Sequence, residues 1–155
     1  MRPKHCFPYF WNLLSLSLLV SACAACSSFH REWKAAAAQP QPPDSIEGCW
    51  DGKWKSNRNG HTGRLRCLIT RTNDEQYGAR FHANYLKILR FGYTVPLKVR
   101  QVAGVSHFEG QADLGQFAGG IYHYEGEAGS DRFVSTYRSE RDHGVFEMKR
   151  PEGDP

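Results

Sequence analysis

The sequence predicts an all-β protein: an eight-stranded antiparallel up-and-down meander barrel, preceded by an apolar leader and a flexible tether. Three observations lead there. Alternation of apolar and polar residues with period two recurs eight times between residues 46 and 150. Glycine, asparagine and aspartate gather between these runs at spacings that suit tight turns. No part of the region sustains a 3.6-residue period. Short strands in sequence, joined by short turns, form a meander. An eight-strand meander removes its exposed edges most economically by closing on itself.

Each run has its own pattern. The first sets Trp50, Gly52 and Trp54 against Asp51, Lys53 and Lys55, and Asn59-Gly60 follows as its turn. The second sets Leu65, Cys67 and Ile69 against Arg64, Arg66 and Leu68, and ends at Asn73-Asp74. The third sets Tyr77, Ala79, Phe81, Ala83 and Tyr85 against Gly78, Arg80, His82 and Asn84. Residues 86–89 form either a helical turn or the start of the fourth run. That run sets Phe91, Tyr93, Val95, Leu97 and Val99 against Arg90, Thr94, Lys98 and Arg100. Ala103-Gly104 turns it into the fifth, with Phe108, Gly110, Ala112 and Leu114. A glycine-rich loop through Gly119 leads to the sixth, with Tyr122, Tyr124 and Gly126. Gly129-Ser130-Asp131 precedes the seventh, with Phe133, Ser135 and Tyr137. Asp142-His143-Gly144 precedes the eighth, with Phe146 and Met148.

The alternation leaves two assignments of inside and outside. With the apolar face inward, Arg80, His82, Asn84, Arg90 and Glu125 belong to a solvated wall. The aromatic set then lies in the lumen, and Tyr77, Phe81, Tyr85, Phe91, Tyr93, Tyr122 and Tyr124 are the candidate ligand-binding residues. With the opposite assignment, the polar set lines a cavity for an anion. An aromatic lumen either holds a small apolar or amphipathic ligand or is filled by its own side chains, since eight strands enclose little more than that. A filled barrel would act through its surface, on an envelope partner or as an enzyme inhibitor.

A turn of only Asn59-Gly60 would pair Trp50 with Ile69, Gly52 with Cys67 and Trp54 with Leu65. Cys49 would then face outward, opposite Thr70, while Cys67 faces inward. Opposite faces of a strand pair cannot bring two Cβ atoms to the roughly 3.8 Å of a disulfide, so none is expected there.

Other chemistry finds no motif. The five domain histidines, at positions 61, 82, 107, 123 and 143, lack metal-ligand spacing. No nucleophile elbow, zinc-protease helix or phosphate loop appears. The expectation is a non-enzyme without metal or cofactor. The net charge is +4, and Arg2 and Lys4 lie in the leader, so the remainder is close to neutral. No block of like charge suggests a nucleic-acid partner, and the chain reads as a monomer.

Two resemblances supply the address and the base of the barrel. Residues 1–22 carry a basic start and an apolar stretch shorter than the roughly 20 residues of a spanning helix. They end in Val20-Ser21-Ala22-Cys23, which resembles a bacterial lipoprotein signal. The resemblance implies removal of residues 1–22 and lipidation of Cys23. With Ala24 next, it further implies an outer-membrane lipoprotein facing the periplasm. Residues 23–45 read as the Ala- and Pro-rich tether: a disordered spacer, or alternatively a short helix over 29–38 with Phe29 and Trp33 on one face. Residues 151–155 are a tail. Gly48-Cys49-Trp50 and Gly52-Lys53-Trp54 at the domain start resemble the opening Gly-x-Trp of the lipocalin-like superfamily. In that superfamily the tryptophan closes the barrel base under an arginine from the last strand, which implies barrel-closing roles for Trp50, Trp54 and Arg150. The segments 59–65 and 77–85 are also similar to a family of bacterial lipoproteins, a likeness that carries no activity with it.

Replacing Cys23 with serine is expected to abolish incorporation of a fatty-acid analogue while leaving the domain folded. Label retained on the Cys23→Ser protein would refute the assignment.

Overall fold

A computed structural model describes residues 28–42, 45–85 and 89–152, together with their side chains except those of Tyr85 and Leu89. The lipobox-like tetrapeptide, Cys23 and residues 86–88 lie outside the described residues. Eight strands form one closed antiparallel barrel in sequence order. They are β1 (Gly48–Ser56), β2 (Thr62–Arg71), β3 (Gln76–Tyr85), β4 (Leu89–Val102), β5 (Val105–Asp113), β6 (Ile121–Ala128), β7 (Arg132–Arg138) and β8 (His143–Lys149). Closure comes from β1 pairing with β8 from Asp51↔Lys149 to Ser56↔Gly144. Leu89 begins β4.

Period two decides which side chains go in. Trp50, Leu65, Cys67, Ile69, Ala79, Phe81, Val95, Leu97, Phe108, Phe133 and Phe146 are buried in one continuous core. Arg80, His82 and Asn84 alternate with the buried positions of β3 and so face outward, while Arg90 and Glu125 are exposed. Each buried Val, Leu, Ile, Phe or Met side chain contributes about 1.5–3 kcal/mol.

The β1–β2 register differs from the expected one by two residues. Trp50 pairs with Cys67, Gly52 with Leu65, Trp54 with Gly63, and Cys49 with Leu68 rather than Thr70. The connection is longer than Asn59-Gly60, because Ser56 organises it. The Ser56 hydroxyl accepts bonds from the Arg58 and Asn59 amides, and its carbonyl accepts from the Gly60 amide. Such side-chain bonds to backbone compete with the strand ladder and lengthen the turn. Of the residues in this turn, only Gly60 has a positive φ, 74°, whereas a two-residue type I′ turn needs two such residues. A slip of two preserves the inward set. Cys67 therefore remains inside, Cys49 remains on the outer wall, and both are free thiols. The β4–β5 turn is of the two-residue kind, with Ala103 at φ 52° and Gly104 at φ 81°.

Part of the segment expected to be a tether takes the helical form of the two that its sequence allows. Residues 28–37 are helical. The Trp33 carbonyl accepts a bond from the Cys49 thiol at 3.3 Å, and the Arg66 guanidinium lies 4.4 Å from the centre of the Trp33 ring. The Gln41 side chain accepts from the Cys49 amide and donates to the Ala36 and Gln39 carbonyls. Burial behind this cover pushes the Cys49 thiol up to about 11, against the opposing charges of Arg150 and Arg66. Among the described residues, no helix is long and apolar enough to cross a membrane.

The base of the barrel is sealed by Trp50 and Arg150. Trp50 is fully buried, donates its indole N–H to the Ile46 carbonyl at 2.9 Å and packs on Phe133. The Arg150 guanidinium covers the ring at 3.8 Å from its centre, within cation–π range. It also donates to the carbonyls of Ser45 and Glu47 at 2.6 Å, and to those of Cys49, Pro42 and Ser130 at longer range. Burial lowers its pKa to about 10, so it stays charged at neutral pH. Gly48 leaves room for this arrangement. Its φ is 97°, and a Cβ there would meet the Gln41 side chain at 2.0 Å and Arg150 at 3.1 Å.

Replacing Arg150 with methionine keeps the apolar stem and strands these carbonyls. Bonds to a charged donor contribute about 1.5–3 kcal/mol each, and some carbonyls will find water. A loss of about 3 kcal/mol in urea unfolding is expected. An unchanged midpoint would show that the guanidinium does not hold the base.

Candidate ligand cavity

The meander places the β1–β2, β3–β4, β5–β6 and β7–β8 connections at one end, opposite the sealed base. There the lumen opens into a cavity of about 740 Å³. Trp54, Leu65, Ala83, Tyr93, Tyr124, Tyr137 and Phe146 line its barrel portion, all from inward positions. Phe91 and Tyr122 stand higher, and Phe117 reaches the mouth from the 3₁₀ turn Gln116–Ala118. Phe91 is 45% exposed and Phe117 entirely so.

The rings form a connected wall. Phe91 stacks on Tyr93 with planes 17° apart, Tyr93 on Tyr124 at 25°, and Tyr122 on Tyr124 at 23°. Phe81 lies beneath, stacked on Tyr93 at 5.3 Å and tilted against Phe146 at 5.5 Å. Such offset and tilted pairs add to the stabilisation from burial alone. The core is thus filled below this level and open above it.

Four of the expected ligand residues, Phe91, Tyr93, Tyr122 and Tyr124, meet at the cavity. Phe81 supports it from below. Tyr77 does not belong to it: its pairing with Leu97 puts it toward the sealed end. The Tyr85 side chain lies outside the described set. Trp54 also departs from its expected role. Four residues beyond Trp50, it lies about 13 Å further along the same strand, toward the open end. It lines the cavity instead of closing the base and donates its indole N–H to the Asn84 carbonyl at 3.1 Å. Sequence reasoning put Tyr137 in the inward aromatic set without naming it a ligand residue, and gave no cavity role to Phe146, Arg141 or Asp142. For the first two the signal was present in their alternation; for Arg141 and Asp142 only the folded loop supplies it.

The polar groups are few. Tyr93 and Tyr124 each bring a phenol to the lining. Burial above all raises both pKa values well above the phenol's ordinary value. Tyr137 is likewise raised, first by burial and then by the Asp142 carboxylate. All three therefore remain neutral at physiological pH. Asp142 accepts from the Ser56 hydroxyl at 2.6 Å and from the Tyr137 phenol at 3.2 Å. Both donors sit at inward positions, so they draw the carboxylate over the lumen rim. Asp142 and Arg141 are the charged members of the described lining. Among the described residues, no cluster of His, Cys, Asp and Glu is arranged to hold a metal.

Gly144 makes room for this corner. A Cβ at Gly144 would lie 2.0 Å from the Lys55 carbonyl oxygen and 2.7 Å from the Tyr137 phenol.

The chain matches no protein-family model, no curated protein and no solved structure.

Replacing Gly144 with alanine should force the strands and Tyr137 apart. Overpacking of this kind costs about 1–3 kcal/mol, read as a lowered urea midpoint. An unchanged midpoint would contradict the tight β1–β8 packing at this corner.

Proposed function

We propose that this chain is a lipid-anchored envelope protein whose barrel binds a small apolar or amphipathic ligand in the upper half of its lumen. The observation that carries the reading is the cavity of about 740 Å³. It falls within the roughly 300–1,000 Å³ of small-molecule sites, which are mostly apolar with a few placed polar groups. A barrel filled throughout would leave no such space, and this favours a ligand over a purely structural role. The groups around the cavity suit holding rather than converting a molecule: the phenols stay neutral, and Asp142 is engaged by Ser56 and Tyr137. The anchor rests on the resemblance of Val20-Ser21-Ala22-Cys23 to a lipoprotein signal. It implies a periplasm-facing outer-membrane lipoprotein. The closed barrel offers no free strand edge for pairing, in keeping with a monomer.

Removal of a few hundred Å² of apolar probe surface from water, at about 25 cal/mol per Å², supports micromolar binding after the losses of freedom on association. The neutral dye N-phenyl-1-naphthylamine should bind saturably in this range. Tyr93→Ala should weaken it about tenfold, whereas Arg80→Ala and Arg100→Ala, on the outer wall, should leave it unchanged. A folded protein that shows no saturable binding would overturn the reading.

A further inference from the structure

We propose that the cavity selects lipophilic organic cations, molecules with an apolar body and an ammonium head. This rests on the ligand-binding reading above and adds the charge of the ligand to it. Two independent features point the same way. The first is the wall itself. Phe91, Tyr93, Tyr122 and Tyr124 lie within 25° of parallel with their stacking neighbours and line one continuous space. Aromatic faces are negative, and a cation held over them is attracted most where water is excluded. Aromatic cages around quaternary ammonium groups use this attraction.

The second feature is the position of Asp142. A carboxylate on the Ser139–Asp142 turn would ordinarily point to solvent. Here the Ser56 hydroxyl, fully buried, holds one oxygen at 2.6 Å, and the Tyr137 phenol holds the other at 3.2 Å. The His143 amide donates to the same carboxylate at 2.8 Å. These donors fix the negative charge at the edge of the aromatic wall, and that charge contributes to the raised Tyr137 pKa. A bound ammonium could lie against the rings with Asp142 beside it. Its apolar body would then occupy the space above Phe81 and Phe146.

Arg141 is the opposing consideration. It also lines the cavity, but it is exposed at the mouth. Solvent screens a charge there more than one drawn inward. An anionic head at Arg141 would produce the opposite selectivity, so the ligand's charge separates the two arrangements.

The test is displacement of N-phenyl-1-naphthylamine from the barrel by three probes sharing one chain: decyltrimethylammonium, decanol and decanoate, each below its micelle concentration. The cation is expected to displace the dye at concentrations about tenfold lower than decanoate, with decanol between them. Asp142→Asn should remove the advantage of the cation over decanol. Arg141→Gln should preserve it. Equal displacement by all three, or stronger displacement by decanoate, would overturn the charge preference and leave a ligand-binding cavity standing. Failure of the dye itself to bind the folded protein would overturn both. The ranking on the unaltered protein decides the matter even if the Asp142 variant does not fold.

Discussion

The placement of one guanidinium determines how the two ends of this barrel differ. Arg150 follows the last strand, yet it lies over Trp50 of the first and donates to carbonyls from residues 42–49 and from Ser130. Closure of β1 on β8 sets these residues side by side. The arginine then donates to these carbonyls and covers the ring that plugs the lumen. Unpaired, those carbonyls and that charge would each cost free energy on burial. Together they form a lid tied to both ends of the chain's strand order.

With the base closed, side-chain volume decides how far the lumen is filled. Large rings alternate with inward glycines. Phe108 faces Gly126, where a Cβ would lie 2.7 Å from the ring. Phe133 and Phe108 stack at 4.8 Å, and Phe81 and Phe146 make the next level. Above them the lumen is no longer filled. The space of about 740 Å³ is what remains. The same physics that stabilises the lower half, aromatic surface withdrawn from water, is left unsatisfied in the upper half. A bound molecule would complete it.

The cover over Cys49 shows what the residues ahead of the barrel contribute. Trp33 and Gln41 bury a thiol and a strand-end amide that would otherwise face solvent. The Arg66 guanidinium is shared between the Trp33 ring and the Asp51 carboxylate, which it reaches at 3.3 Å. Composition alone reads residues 35–43 as spacer, because their four alanines and three prolines give no strong amphipathic pattern. Trp33 and Gln41 find their partners in residues of the strands, Cys49 and Arg66.

The eight strands and their inward faces were legible because period two is a local property: the alternation of Tyr77, Ala79, Phe81 and Ala83 needs no partner to be read. The free state of Cys49 and Cys67 followed for the same reason, since a two-residue slip leaves parity intact. What the sequence left undetermined was depth along the barrel and the shape of the loops. Trp50 and Trp54 share a face and a Gly-x-Trp, but one plugs the base and the other lines the mouth. Tyr77 and Tyr93 share a face pattern, but only Tyr93 reaches the cavity. Parity says which face a residue occupies; height depends on register, and register goes with the turn that Ser56 organises, its hydroxyl bonding its own turn and Asp142 just ahead of the neighbouring β8. The sequence by itself therefore determined an all-β meander with an aromatic interior. Only the tertiary structure decided where that interior stops being filled and which carboxylate is drawn over its edge, because both depend on contacts between residues far apart in the chain.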